Sequence, residues 1–250
     1  MPIRRALLAV PFLLAAPALA QDESRRPPAL PTPLPVRLRP GAAPVMAHAR
    51  IGDGGQQPIE ISFTGPGAPT EVFRLPSWYG NARIIGVLRV RDRDLLVVAF
   101  EGNTGTGVYQ EIQAVIGVDD DGVARILALE TLHNRLTAIC SDASYLTIRI
   151  TPLADGKGLR LNHFARGVFG TCGPPTRRPR PFRAEWGTTL RWNGRGPFSV
   201  PPPDPRAGPE RRLVEASRAK VAAWLAAAPR REVTHDDMQA LDLMEVLRNE

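Results

Sequence analysis

Between residues 59 and 192 apolar and polar residues alternate with a period of two, interrupted at short intervals by glycine and aspartate. Ile59-Glu60-Ile61-Ser62-Phe63 shows the pattern of a strand with one buried face. The same reading predicts strands over 71–75, 82–90, 95–100, 108–118, 123–130, 145–150, 159–164 and 188–192. In 145–150, Leu146, Ile148 and Ile150 share one face, with Thr147 and Arg149 opposite. Asp92-Arg93-Asp94, Asp119-Asp120-Asp121-Gly122 and Asp155-Gly156-Lys157-Gly158 supply turn chemistry between them. Strands joined in chain order by short turns predict a mainly β fold, an antiparallel meander forming a sandwich or a small barrel.

After residue 208 the period changes. Pro209 suits the first turn of a helix, where a missing N–H costs nothing. Leu213, Ser217, Val221, Trp224 and Ala228 recur at helical spacing until Pro229. Thr234 and Asp237 form a capping box with Asp in place of Glu, ahead of a stripe of Met238, Leu241, Met244 and Leu247. An αα-hairpin over 209–250 is expected. Its apolar faces pack on each other or on the β domain, or else serve self-association of the chain.

The first residues read as an export signal. Arg4 and Arg5 precede the apolar run Ala6–Ala16, and Ala18-Leu19-Ala20 predicts cleavage between Ala20 and Gln21. The arginine pair fits ordinary and twin-arginine export, and the route stays open. No Cys stands directly after the apolar run, so no lipoprotein anchor is expected. No later segment is apolar enough to span a bilayer, so the mature chain is expected to lack a transmembrane segment and to be periplasmic or secreted. The expected organisation is a signal peptide (1–20), a Pro-rich disordered or strap segment (21–47), a β domain (48–195), a Pro-rich linker (196–208) and the helical hairpin (209–250). In the strap, Leu30, Leu34, Val36 and Leu38 are available for burial.

Composition changes the picture in two respects. The formal charge is +7, carried almost wholly by arginine, since Lys157 and Lys220 are the only lysines. Abundant Arg, Ala, Pro and Gly together reflect sequence bias, so no nucleic-acid partner is expected. The basic run Arg177–Arg183 reads as a solvated loop; the alternative is a site for an anionic partner, a lipid headgroup or acidic glycan. In an oxidising compartment the two cysteines, Cys140 and Cys172, are expected to form one disulfide, adding roughly 3–4 kcal/mol. The alternative, a Cys140 nucleophile served by His133, suffers from oxidation of an exported thiol.

Candidate chemistry then fails motif by motif. Gly102-Asn103-Thr104-Gly105-Thr106-Gly107 lacks the Lys and Ser/Thr of a phosphate loop, because Val108 and Tyr109 follow it. It reads as a glycine-rich hairpin, and Gly102, Asn103, Thr104, Gly105, Thr106 and Gly107 would suit a ligand-binding lip. Asp119–Gly122 cannot be an EF-hand loop, since Gly117 and Ala128 fall at its first and last ligand positions. Glu101 and Glu111 are the nearest carboxylate pair. With Glu101 opposite Val108 they point to different faces and cannot cooperate without a bulge. Glu130, Asp142 and Glu185 are further carboxylates with no evident mate. His48, His133, His163 and His235 have no metal-ligand spacing, and His163 reads as structural. No cofactor is expected. The function expected is that of an exported, non-catalytic binding or envelope-associated module for a protein or envelope component. The alternative is a hydrolase acting on an envelope glycan or peptide.

Overall fold

The computed structural model describes residues 26–52, 58–137, 143–169, 180–244 and 247. Ala20, Gln21, Cys140 and Cys172 lie outside them. The described chain is mainly β, in two antiparallel sheets. The first contains β1 (Leu34–Val36), β2 (Val45–Ile51), β3 (Ile59–Thr64) and β4 (Phe73–Leu75), in that order. The second is a meander of β5 (Arg83–Val90), β6 (Arg93–Gly105), β7 (Val108–Val118), β8 (Ala124–Thr137), β9 (Ala143–Pro152), β10 (Gly158–Phe169) and β11 (Arg180–Arg191). α1 (Pro209–Ala227) and α2 (His235–Ala240) follow.

The Pro-rich segment is an ordered strap over residues 26–47. It supplies β1, and β2 crosses the boundary expected at residue 48. Val36 and Leu38 are buried in the core. The Leu30 amide donates to the Ile84 carbonyl at 2.8 Å, so the strap covers β5, an edge of the larger sheet. β11 begins at Arg180, well before the expected Thr188. Pro181 is compatible with that strand because β11 is the opposite edge, where one N–H is not needed for pairing.

Two apolar cores lie on opposite faces of the larger sheet. Ile61, Phe73 and Leu75 of the small sheet pack with Leu96, Val98, Phe100, Ile112 and Ile116. Leu95, Val115 and Leu127 pack with Leu146, Ile148, Leu159, Leu161 and Leu190. Each such side chain contributes about 1.5–3 kcal/mol on burial. β8 is responsible for the second core. It is out of step with β7 at two places and pairs with β9 only through His133–Thr137. The sheet therefore folds at β8, and β9–β11 turn back across β5–β8. The Gln113 amide donates to the Ile148 carbonyl (2.7 Å) across that fold. The sheets stay open, as in a sandwich.

α1 has Pro209 in its first turn and lies on β8, with Val214, Val221 and Leu225 buried. The capping box forms at α2: the Asp237 amide donates to Thr234 Oγ1 (3.1 Å), and the Thr234 amide to Asp237 Oδ2 (2.8 Å). α2 is shorter than its apolar stripe. Asp242 adopts φ +55°, the Leu243 amide donates to Met238 O, and the Asp242 amide to Gln239 O. This double closure ends the helix after Ala240 and leaves Met244 and Leu247 beyond it. Leu247 is nevertheless buried, in the second core.

Candidate ligand-binding surface

The glycine-rich segment is a hairpin continuous with the sheet. Gly105 pairs with Val108 and Thr104 with Tyr109, and Gly107 turns the chain at φ +79°. Thr137 anchors the tip by donating its amide to Gly107 O at 2.6 Å. Below the tip, Gly102 and Asn103 together oppose the single residue Gln110. The Asn103 amide donates to Gln110 Oε1 (3.1 Å), and Gln110 Nε2 donates to Leu243 O. A Cβ on Gly102 would collide with the Gln110 amide, so a larger residue there would force that side chain to move.

This bulge overturns the expected facing of the carboxylates. Glu101 stands opposite Glu111, not Val108, and each is only 1% exposed. Glu101 Oε2 accepts from Ser77 Oγ (2.6 Å), the Trp78 amide (3.1 Å) and the Tyr79 amide (2.9 Å). Oε1 accepts from Asn81 Nδ2 at 2.8 Å. Burial alone would raise the Glu101 pKa. Hydrogen bonds from Asn81, Ser77 and the Tyr79 backbone outweigh it and hold the carboxyl below its ordinary range. Glu111 accepts from Arg83 Nη1 (2.7 Å), while Arg83 Nε donates to Pro27 O of the strap (3.0 Å).

Beside this pair an aromatic chain crosses β7 to β10. Tyr109 and His133 have centroids 5.9 Å apart, His133 and Tyr145 4.8 Å, and Tyr145 and Phe164 6.2 Å. Arginines interleave with the rings. Arg26 lies over Tyr109 (4.3 Å), Arg166 over Tyr145 (5.1 Å) and Arg183 over Phe164 (5.3 Å). Strand register explains the order: Tyr109, Arg135, Tyr145, Arg166 and Arg183 form one transverse row, each opposite the next. Arg166 and Arg183 are thus like charges directly opposed, an arrangement that lowers sheet stability. Burial lowers the His133 pKa, against the pull of Glu111, so the ring is neutral near pH 7. Burial and the Glu111 charge raise the pKa of Tyr109. Its hydroxyl is buried beside the Glu111 carboxylate.

At the outer end of the row lies an open cleft of about 450 Å³. Arg135, Arg166 and Arg183 line it with Tyr145 and Phe182, and no described lining residue is a carboxylate. No family model matches the chain, and no curated protein or solved structure matches it either. Its chemistry must be read from these side chains alone.

The remaining candidates are engaged elsewhere. Glu130 accepts from Arg218 Nε (2.5 Å) and Nη2 (3.0 Å), deep under α1. His163 Nε2 lies 2.6 Å from Arg218 Nη2, and Nδ1 lies 3.2 Å from Trp186 O. Arginine only donates, so Nε2 accepts and Nδ1–H donates to the carbonyl: the ring is neutral. Burial, then the Arg218 charge, push its pKa down to about 3. Trp186 stacks on it at 4.5 Å. Glu185 is exposed and bonds Arg183 (2.9 Å). Asp119 Oδ1 accepts from the Asp121 and Val123 amides (3.1 and 2.9 Å), and Oδ2 lies 2.9 Å from Arg125. Asp120 pairs with Arg93 and Asp121 lies 3.5 Å from Arg195, so arginines meet the acidic turn. His48 bonds Thr64 at 2.8 Å. Among the described residues no group of three metal-binding side chains assembles. Asp142 lies outside them.

The aromatic–arginine row escaped the sequence reading. Its members come from separate strands, and their alignment depends on register. The faint signal is an arginine or aromatic ring near one end of each successive strand.

Proposed function

We propose that this chain is an exported, non-catalytic binding module whose ligand is an anionic envelope component, held in the Arg135–Arg166–Arg183 cleft. The carrying observation is a cleft lined by three arginines and two aromatic rings, where Glu185 meets Arg183 from outside the lining. Planar guanidinium groups suit phosphate or carboxylate, and rings beneath them limit side-chain freedom. The state of Glu101 also supports binding over hydrolysis. A general acid must carry a releasable proton, whereas this carboxylate is saturated by four donors and its pKa is lowered. The N-terminal Arg4-Arg5 and Ala18-Leu19-Ala20 pattern supports export, with Gln21 as the mature N-terminus and a Cys140–Cys172 disulfide. The intact mass of the exported chain, before and after reduction and alkylation, tests both.

The binding reading is tested with polyphosphate and with vesicles containing phosphatidylglycerol. At low salt the full chain is expected to bind at least one of them. Replacing Arg135, Arg166 and Arg183 together by Ala is expected to weaken that binding by more than about tenfold while the fold persists. Equal binding by the triple variant would refute the assignment.

A further inference from the structure

The turn before β5 displays two aromatic rings on a backbone fixed from inside the protein. Trp78 is 40% exposed and Tyr79 68%, the two most exposed rings among the described residues' large hydrophobics. Directly beneath them, the buried Glu101 carboxylate takes both their backbone amides, with Ser77 and Asn81 on either side. Gly80 closes the turn at φ +69°. The Trp78 indole is braced from one side by the His235 ring at 4.2 Å. Exposed aromatic side chains on a surface turn are ordinarily replaceable. Here a buried charge and four hydrogen bonds hold the turn in one conformation, which lowers the entropy lost when a ligand meets the rings.

We infer that the Trp78–Tyr79 turn is a carbohydrate platform, and that the anionic ligand of the adjacent cleft is an acidic glycan. The platform stands on its own observation, while the acidic half of the ligand rests on the reading proposed above. A sugar ring offers an apolar C–H face to an aromatic ring and hydroxyls at its rim. Trp and Tyr present an apolar body with a polar edge, and the exposed Asn81 lies beside them. The turn and the aromatic–arginine row are connected through the β6–β8 ladder. Trp78 is bonded to Glu101, Glu101 stands opposite Glu111, and Glu111 stands opposite His133. Tyr109, two residues from Glu111, opens the row that leads through Arg135 and Tyr145 to Arg166 and Arg183. A lipid surface is disfavoured, because the apolar groups at this turn are two rings flanked by glycine and asparagine, without an aliphatic cluster.

The experiment compares the full-length mature chain with Trp78→Ala/Tyr79→Ala, Trp78→Phe/Tyr79→Phe and Arg135→Ala by calorimetric titration. The probes are a uronic-acid hexamer, a glucose hexamer, polyphosphate and phosphatidylglycerol vesicles. Urea unfolding checks that each variant is folded. The uronate hexamer is expected to bind the native chain more tightly than the glucose hexamer. The double alanine variant is expected to lose at least about tenfold in uronate affinity and to bind polyphosphate unchanged, with the phenylalanine variant largely restored. Arg135→Ala is expected to weaken binding of both the uronate hexamer and polyphosphate. Uronate affinity that ignores Trp78 and Tyr79 overturns the platform and leaves the binding reading intact. Polyphosphate binding without uronate binding overturns the glycan assignment in the same way. Vesicle binding that alone depends on the two rings would place them in a lipid surface instead. Failure of every anionic probe removes this inference together with the reading beneath it.

Discussion

Glu101 and Glu111 face each other across the β6–β7 ladder, both buried, and are held by different partners. Turn residues Ser77, Trp78, Tyr79 and Asn81 grip the first, and Arg83 the second. Glu101 is therefore a structural anchor for the turn. Replacing it by Ala leaves two backbone amides and a buried hydroxyl without their acceptor. The expected loss is about 3 kcal/mol in urea unfolding, with faster hydrogen exchange at the Trp78 and Tyr79 amides. Exchange unchanged at those amides would mean that Glu101 does not hold the turn.

Gly102→Ala tests the bulge itself. The added methyl must displace Gln110, which links Asn103 to Leu243. A destabilisation of about 1–3 kcal/mol is expected, with loss of protection reaching the Asn103 amide. Adding Gln110→Ala makes room for the methyl, so the double variant should cost less than the two single changes summed.

The buried Glu130–Arg218 pair ties α1 to β8. Arg218→Met strands a carboxylate that is 4% exposed, and about 3–5 kcal/mol of stability should be lost. Combining it with Glu130→Leu removes the stranded charge and should recover most of that loss. A double variant as unstable as Arg218→Met alone would show that the contact matters for something other than charge compensation.

His163 sets an acid limit on the fold. Its pKa is about 3 in the folded chain, against 6.5 without the fold. Below pH 6.5 the unfolded chain takes up a proton that the folded chain refuses, so stability falls as pH drops from 6.5 towards 3. The slope from this one group approaches roughly 1.4 kcal/mol per pH unit. His163→Gln should be less stable at pH 7, yet show a shallower decline between pH 6 and 5 in urea unfolding. An unchanged slope would mean that the buried imidazole is not the group being protonated.

The apolar-rich run Val108–Val118, bounded by Gly107 and Asp119, delimits β7. Helix α1 was likewise legible, since Pro209 and Pro229 bracket its apolar stripe. What escaped was register. The hairpin pairs as far as Gly105 and Val108, so one extra residue at Gly102–Asn103 moves Glu101 from Ile112 to Glu111, and another irregularity between Glu111 and Ile112 sets which residues of β8 meet β7. A period-two pattern does not reveal a bulge whose displaced side chains are Gly and Asn. β11 was hidden by Pro181, and the early end of α2 by a left-handed Asp242 that no glycine advertises. The aromatic–arginine row depends on all of these alignments, so it emerges only when the strands are laid side by side.

The most direct measurement is the salt dependence of polyphosphate affinity for the native chain and for Arg135→Ala. If the cleft works as an anion site, affinity falls steeply as ionic strength rises, and losing Arg135 makes that dependence shallower. Affinity that ignores salt, or a slope identical in the two proteins, would contradict the account.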